Sequence, residues 1–139
     1  MDDTTFVRAV SDRLGCDERR AEDLIFAVFT HLRDRLTPEE SADVAAQLPT
    51  GLRHLWQSGE LPHRGVEKTH RLEFLGRVRE QASLPDEATA ERTVLAVFHA
   101  LQRSLGSATG REGEARDVLT QLPADLKTLW LRAADPDAA

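Results

Sequence analysis

The 139-residue sequence predicts an all-α fold of eight helices, in which two pseudo-two-fold-related four-helix repeats pack into one domain. First, apolar residues recur at helical spacing along the chain, and no segment shows the sustained alternation that is typical of strands. Second, the phrase QLPTGLRHLW at 47–56 returns as QLPADLKTLW at 121–130. Third, a composition with 40% hydrophobic and 30% charged residues is typical of a chain that folds around a core.

The first two helices follow from apolar periodicity and from residues that favour helix ends. An apolar stripe begins at Phe6, and Gly15 is placed to end that helix in the left-handed conformation. Asp17 can cap the second helix, which we expect to run to about Leu36. Because this second helix is apolar on nearly every side, Phe29 included, we expect it to lie at the centre of the fold.

The third and fourth helices begin and end at prolines. Thr37 can accept a hydrogen bond from the amide of Glu40, and the Glu40 side chain can reach back to the amide of Thr37. Pro38 suits the first helical position, and Pro49 both ends the third helix and opens a short fourth helix to Trp56. The same scheme predicts the helices of the second repeat at about 70–82, 86–105, 112–121 and 124–132.

The repetition extends well beyond the quoted phrase. Three pairs of segments align, with offsets of 68, 69 and 74 residues: 6–14 with 74–82, 21–32 with 90–101, and 43–49 with 117–123. The offset changes only between periodic segments, which is where surface loops accept insertions. We therefore assign one domain, 1–139, with repeats at 5–57 and 73–131 and a linker at 58–69.

Charge argues against nucleic acid as a partner. Residues 1–69 carry a net charge of −4 and residues 70–139 carry −2, so neither half offers a basic surface to a phosphate backbone. The segment 21–47 has the outline of a helix-turn-helix, but Glu39, Glu40 and Asp43 would lie at the start of its recognition helix. We expect no nucleic-acid binding.

The chain is also predicted to be cytoplasmic and bacterial. The opening MDDTTFVRAV lacks the basic start and apolar stretch of a signal peptide, and no run approaches the roughly 18 apolar residues of a membrane span. Arginine outnumbers lysine by 16 to 2, which indicates a high-GC bacterial genome.

No residue pattern predicts a cofactor, a metal or a catalytic centre. The set His63, Glu67 and His70 has helical spacing but lies in a stretch broken by proline and glycine, so we expect no metal there. Phosphate-binding glycine loops and the serine-nucleophile motif are missing, so an enzyme is not predicted. His31 and His99 lie one position out of register between the repeats, which argues against a shared catalytic role.

Cys16 and four aromatic residues leave alternatives open. Arg13, Arg19 and Arg20 lie near Cys16 in sequence and would lower its pKa, which makes a reactive thiol one alternative to an inert one. Core packing is the first interpretation of the central phenylalanines and of the tryptophan that closes each repeat. A pocket or partner surface is the second, and its candidate residues are Phe29, Phe98, Trp56 and Trp130.

Three motifs, each present twice, resemble a bacterial family known as domain of unknown function 2267. They are the F-[LV]-x-x-V helix start, the A-[VL]-F-x-x-L centre and the D-V-x-x-Q-L-P-x-x-L-x-x-L-W close. The similarity covers about residues 5–132. It implies two tandem copies of a four-helix unit, and it supplies no activity and no catalytic or ligand residues.

Three functions follow as hypotheses. The first is a helical interaction or regulatory module that presents a groove or patch to a protein partner, with a homodimer as a further arrangement because fused copies often descend from one. The second is a small-molecule sensor with its ligand between the repeats, near Phe29 and Phe98. The third is an enzyme of unrecognised type.

Overall fold

The computed structural model describes residues 1–61, 64–66, 68, 70–109 and 113–134, with the backbone alone at 106–109 and 113–116. These residues form eight α-helices and no strand, which confirms the predicted all-α class. The helices are α1 (Asp3–Leu14), α2 (Glu18–Arg33), α3 (Pro38–Gln47), α4 (Thr50–Gln57), α5 (Arg71–Gln81), α6 (Glu87–Thr109), α7 (Gly113–Gln121) and α8 (Ala124–Ala133).

The helix ends use the capping residues that the sequence predicts. Gly15 adopts the left-handed conformation after α1, with φ of 67°, and its N–H donates to the carbonyl oxygen of Ser11. The Asp17 carboxylate accepts from the amide of Arg20 at 2.7 Å. These contacts span only a few residues, so each helix end is determined locally.

The start of α3 combines a local cap with a distant contact. The Thr37 hydroxyl accepts from the amide of Glu40 at 3.2 Å, as predicted. The amide of Thr37 donates at 3.1 Å to the side-chain oxygen of Gln121, at the end of α7. This contact, across 84 residues, ties α3 to α7.

Two predicted helix ends need correction. We expected α2 to reach Leu36, but it ends at Arg33 because the amides of Arg35 and Leu36 donate to carbonyl oxygens three residues back. Leu36 is nevertheless fully buried. The expected end of α6 at residue 105 is four residues early, since the helix continues to Thr109.

The two long helices α2 and α6 lie at the centre and contact each other. Helix α1 packs against both long helices, and so does helix α5. The short helix α4 packs on α2, and α8 packs on α6. Helix α3 contacts α7, and the core therefore extends continuously from one end of the chain to the other.

The core contains two sets of three aromatic rings in contact. In the first, the Phe29 ring lies 5.9 Å from Phe6 and 5.2 Å from Trp56, between ring centroids. In the second, the corresponding distances are 6.1 Å from Phe98 to Phe74 and 5.0 Å from Phe98 to Trp130. Rings at these distances and steep angles add edge-to-face attraction to the hydrophobic effect of burial.

None of the helices within the described ranges combines the length and the apolar character that crossing a membrane requires.

Candidate functional site

The end of α2 carries a buried arginine that holds the end of α4. The Arg33 side chain is 3% exposed, and its Nε donates to Asp34 Oδ1 at 2.9 Å. Its Nη1 donates to the backbone oxygens of Trp56 at 3.0 Å and Ser58 at 2.8 Å. Arg33 therefore connects the last turn of α2 to the residues that leave α4.

A second buried arginine lies in the predicted linker. Arg64 donates from Nη1 to the carbonyl oxygen of Leu36 at 2.7 Å and from Nη2 to that of Arg33 at 2.9 Å. Its Nε donates to Glu60 Oε2 at 2.8 Å, and its side chain is 8% exposed. A cation at this position satisfies carbonyl groups at the end of α2 and complements the negative end of the helix dipole. The segment between α4 and α5 is thus anchored at Arg64.

A hydrogen-bonded chain links this cluster to the core. The indole Nε1 of Trp56 donates to Ser41, and the Ser41 hydroxyl donates to Glu60 Oε2 at 3.0 Å. Glu60 in turn accepts from Arg64. The polar edge of a core tryptophan is therefore coupled to the arginine that anchors the connection.

Two cavities flank this cluster, and both include Leu61 in their lining. We call them together the Leu61 groove. The larger has a volume of about 530 Å³ and is lined by Arg33, Asp34, Gly59, Leu61, Arg64, Gly65, Val66 and Lys68. The smaller has a volume of about 380 Å³ and is lined by Pro38, Ser41, Ala42, Ala45, Gln57, Glu60 and Leu61. Leu61 is 71% exposed and Val66 40% exposed, so the groove offers apolar side chains to an incoming molecule.

The four aromatic candidates lie elsewhere. Phe29, Phe98 and Trp56 are completely buried, and Trp130 is 3% exposed. None of the four lines either cavity of the Leu61 groove. Their positions agree with core packing, the first interpretation of these residues. The candidate binding surface is therefore the Leu61 groove and not these aromatic residues.

The reactive-thiol hypothesis for Cys16 needs correction. Burial raises the pKa of the Cys16 thiol, the negative charge of Asp17 raises it further, and Arg20 opposes both effects without overcoming them. The net effect is a raised pKa, contrary to the lowering that the nearby arginines would give by themselves.

The histidine candidates have ordinary partners where they are described. His31 hydrogen-bonds to Gln81 at 2.8 Å, and His99 Nδ1 lies 2.6 Å from the carbonyl oxygen of Ala133. His63 and Glu67 lie outside the described residues. Within the residues that are described, no group of three or more His, Cys, Asp or Glu side chains has an arrangement that could hold a metal ion.

Sequence reasoning missed Arg33 and Arg64 as members of a site. One signal was available for Arg33, because Gln102 occupies the position that the predicted alignment of the two halves pairs with it. Gln102 donates to the carbonyl oxygen of Trp130 at 2.7 Å, so it makes the contact that Arg33 makes with Trp56 while carrying no charge. Arg33 makes this contact and adds bonds to Asp34 and Ser58.

The fold and the groove define an all-α protein with a polar, arginine-lined groove at the connection between its two groups of helices. The chain belongs to the DUF2267 family, described as an uncharacterized conserved protein, whose model matches residues 3–129. No curated protein matches the chain.

Proposed function

We propose that this chain is a helical protein-interaction module with a regulatory role, and that the Leu61 groove is its docking surface. The observation that carries the proposal is the exposure of Leu61 and Val66 beside a cavity with buried arginines. Exposed apolar side chains that share a groove with polar groups are typical of binding sites. The partner we propose is a protein segment that carries an acidic residue next to an apolar one.

Charge supports an acidic partner. Arg33, Arg64 and Lys68 bring three positive charges to the groove, whereas Asp34 and Glu60 bring two negative charges. Among its described lining residues the groove therefore has an excess of one positive charge, on a chain whose formal net charge is −6. A patch whose sign opposes that of the whole protein favours the approach of the complementary partner in one orientation.

The duplication predicted from the sequence belongs to this proposal. The two aromatic sets, and the reciprocal packing of α1 on α6 and of α5 on α2, support an origin from two copies of one four-helix unit. In such an origin the second copy covers the face that a single unit would offer to a twin. The groove would then be a feature of the first copy alone, because Gln102 replaces the arginine in the second.

Site-specific photocrosslinking tests the proposal. We would place p-benzoylphenylalanine in place of Leu61, and use Leu72 and Leu131 as matched controls because they are 69% and 59% exposed elsewhere on the molecule. In cells of the source organism we expect a discrete adduct from position 61 that the two controls do not give. The crosslinked peptide should contain an acidic and an apolar residue, and the purified partner should bind the Val66→Asp variant about tenfold more weakly.

Two results would contradict the proposal. Equal adducts at all three positions would indicate non-specific apolar contact. A purified partner that binds wild type and Val66→Asp equally well would show that docking occurs elsewhere.

A further inference from the structure

We infer that Arg33, Arg64 and Lys68 form a carboxylate-binding site in the larger cavity, and that its ligand is a single carboxylate attached to an apolar body. This site rests on the proposed function, because it is the chemistry by which the docking surface would recognise an acidic partner segment.

The first argument is the count of donors on Arg33. A guanidinium has five N–H groups, one on Nε and two on each Nη. Nε donates to Asp34, and Nη1 donates to Trp56 and Ser58, so these three N–H groups are used. Nη2 has no hydrogen-bond partner among the described residues, although the side chain is 3% exposed and lines the cavity. Nη2 is therefore available to an acceptor that enters the cavity.

The second argument is the charge that the cavity leaves uncompensated. Asp34 lies beside Arg33, and Glu60 beside Arg64, so each arginine has a carboxylate of its own. Lys68 also lines the cavity and forms no ion pair with any residue that the structure describes. One unmatched positive charge suits a ligand with one negative charge, whereas a doubly charged phosphate would leave the site negative.

The third argument is the apolar wall. Leu61 and Val66 line the same cavity as the three cations and are largely accessible. A cavity of about 530 Å³ falls in the range of sites that enclose small ligands or single side chains with their neighbours. The ligand therefore needs an apolar body beside its carboxylate, and a bare ion such as acetate would use only half of the site.

Gly59 shapes the entrance to this site. It adopts φ of 78°, a conformation that residues with a side chain rarely take, and it lines the larger cavity. The turn at Gly59 lies between Ser58, which accepts from Arg33, and Glu60, which accepts from Arg64. The two arginines therefore both bond to one short stretch of chain.

The probe experiment uses the full chain and titrates hexanoate against its neutral analogue hexanamide, with NMR chemical shifts as the readout. We expect hexanoate to perturb the amides of Arg33, Leu61 and Val66, and hexanamide to bind about tenfold more weakly. The substitution Lys68→Met should weaken the binding of hexanoate by a similar factor. Lys127→Met is the matched control, because Lys127 on α8 is the other lysine of the chain and lies away from the groove.

A second variant guards against misfolding. Arg33→Gln introduces the residue that the second repeat has at the aligned position, where it keeps the bond to the tryptophan carbonyl. It should fold and yet lose the preference for hexanoate over hexanamide. Equal binding of the two probes to wild type, no binding of either, or an unchanged preference in both Lys68→Met and Arg33→Gln would overturn the inference.

Two capped peptides, acetyl-Leu-Glu-Leu-amide and acetyl-Leu-Gln-Leu-amide, distinguish the source of the carboxylate. Tighter binding of the glutamate peptide than of hexanoate supports a partner segment. Binding of hexanoate without binding of the peptide supports a free small acid, and it would contradict the proposed docking function while leaving the carboxylate site in place. A discrete crosslink from position 61 without any preference for hexanoate over hexanamide would support the docking function and contradict the carboxylate site.

Discussion

The indole Nε1 of Trp56 lies 3.0 Å from the hydroxyl oxygen of Ser41 and 3.1 Å from its carbonyl oxygen. Trp56 is completely buried, so its N–H needs a partner inside the protein. The predicted alignment of the two halves pairs Ser41 with Ala115, which has no hydroxyl. The hydroxyl group that Ser41 offers to Trp56 is therefore particular to the first half of the chain.

Replacing either tryptophan by alanine should destabilise the protein strongly. Trp56→Ala and Trp130→Ala each remove a ring that contacts a central phenylalanine, Phe29 or Phe98, and each should lower the free energy of unfolding by about 3–5 kcal/mol. Chemical denaturation followed by circular dichroism measures this directly. A loss of less than about 1 kcal/mol in both variants would contradict the core assignment and revive these residues as a surface.

The helices and the core were predictable because their determinants are local. Gly15 and Asp17 each act within a few residues, so spacing alone reveals the ends of α1 and α2. Apolar periodicity likewise identified α2 and α6 as central helices, since a helix that is apolar on most sides has to be covered on most sides.

The groove was not predictable, because its contacts join residues far apart in sequence. Arg64 reaches the carbonyl oxygen of Arg33 across 31 positions, and no spacing rule connects an arginine in a glycine-flanked segment with the end of an earlier helix. The same limit applies to the amide of Thr37, whose partner Gln121 lies 84 positions away in the sequence. Local rules identify a donor that needs a partner, but tertiary packing decides which partner is closest.

Two glycines in helices should respond oppositely to alanine. A side chain at Gly76 in α5 would meet no atom within 4 Å, so Gly76→Ala should raise the free energy of unfolding by about 0.5–1 kcal/mol through helix propensity. A Cβ at Gly51 would lie 3.0 Å from the Asp3 carboxylate, which accepts from the amides of Gly51 and Leu52. Gly51→Ala should displace that carboxylate and lower stability by about 1 kcal/mol, despite the better propensity of alanine.

Thermal denaturation of the two glycine variants checks this pair. Stabilisation by both substitutions would show that Asp3 moves aside freely and that its bonds to the start of α4 contribute little.

The thiol of Cys16 should react slowly in the folded protein. Because burial and Asp17 raise its pKa, less thiolate is present at pH 8 than in the unfolded chain, and access is also reduced. We expect alkylation by iodoacetamide to be about tenfold slower than in denaturant, with a rate that keeps rising above pH 9. A folded-state rate equal to or faster than the denatured rate would restore the reactive-thiol hypothesis.

The anchor at Arg64 should be stronger than an ordinary surface ion pair. Arg64→Ala removes bonds to three backbone oxygens and to Glu60, so it should lower the free energy of unfolding by about 2 kcal/mol and speed amide exchange at residues 58–61. Arg64→Lys should not rescue it, because one ammonium group cannot reproduce the planar fork of donors. Arg8→Ala is the control, because Arg8 is 64% exposed in its ion pair with Glu18. This substitution should lower the free energy of unfolding by less than about 1 kcal/mol. An Arg64→Ala variant as stable as Arg8→Ala would show that the anchor is dispensable.

Because of Asp125, the free energy of unfolding should fall at acidic pH. Burial alone would raise the pKa of its carboxyl, but the backbone N–H of Arg71, donating at 2.8 Å, and the neighbouring His70 outweigh burial, so the pKa is lowered. A carboxyl with a lower pKa in the folded state binds its proton later than in the unfolded chain as the pH falls. Its contribution is therefore complete above the unfolded value of about 4, and it is lost as the pH drops through the folded value.

The variant Asp125→Asn tests this dependence. The difference in unfolding free energy between wild type and variant should shrink steadily as the pH falls below about 4. Because the Asp125 side chain is 37% exposed, solvent screening should keep the plateau of that difference below about 1 kcal/mol. Asp12→Asn, at an exposed position of α1, is the control for the loss of one negative charge. A difference that grows as the pH falls would mean that the carboxylate destabilises the start of α5, contrary to its hydrogen bond with Arg71.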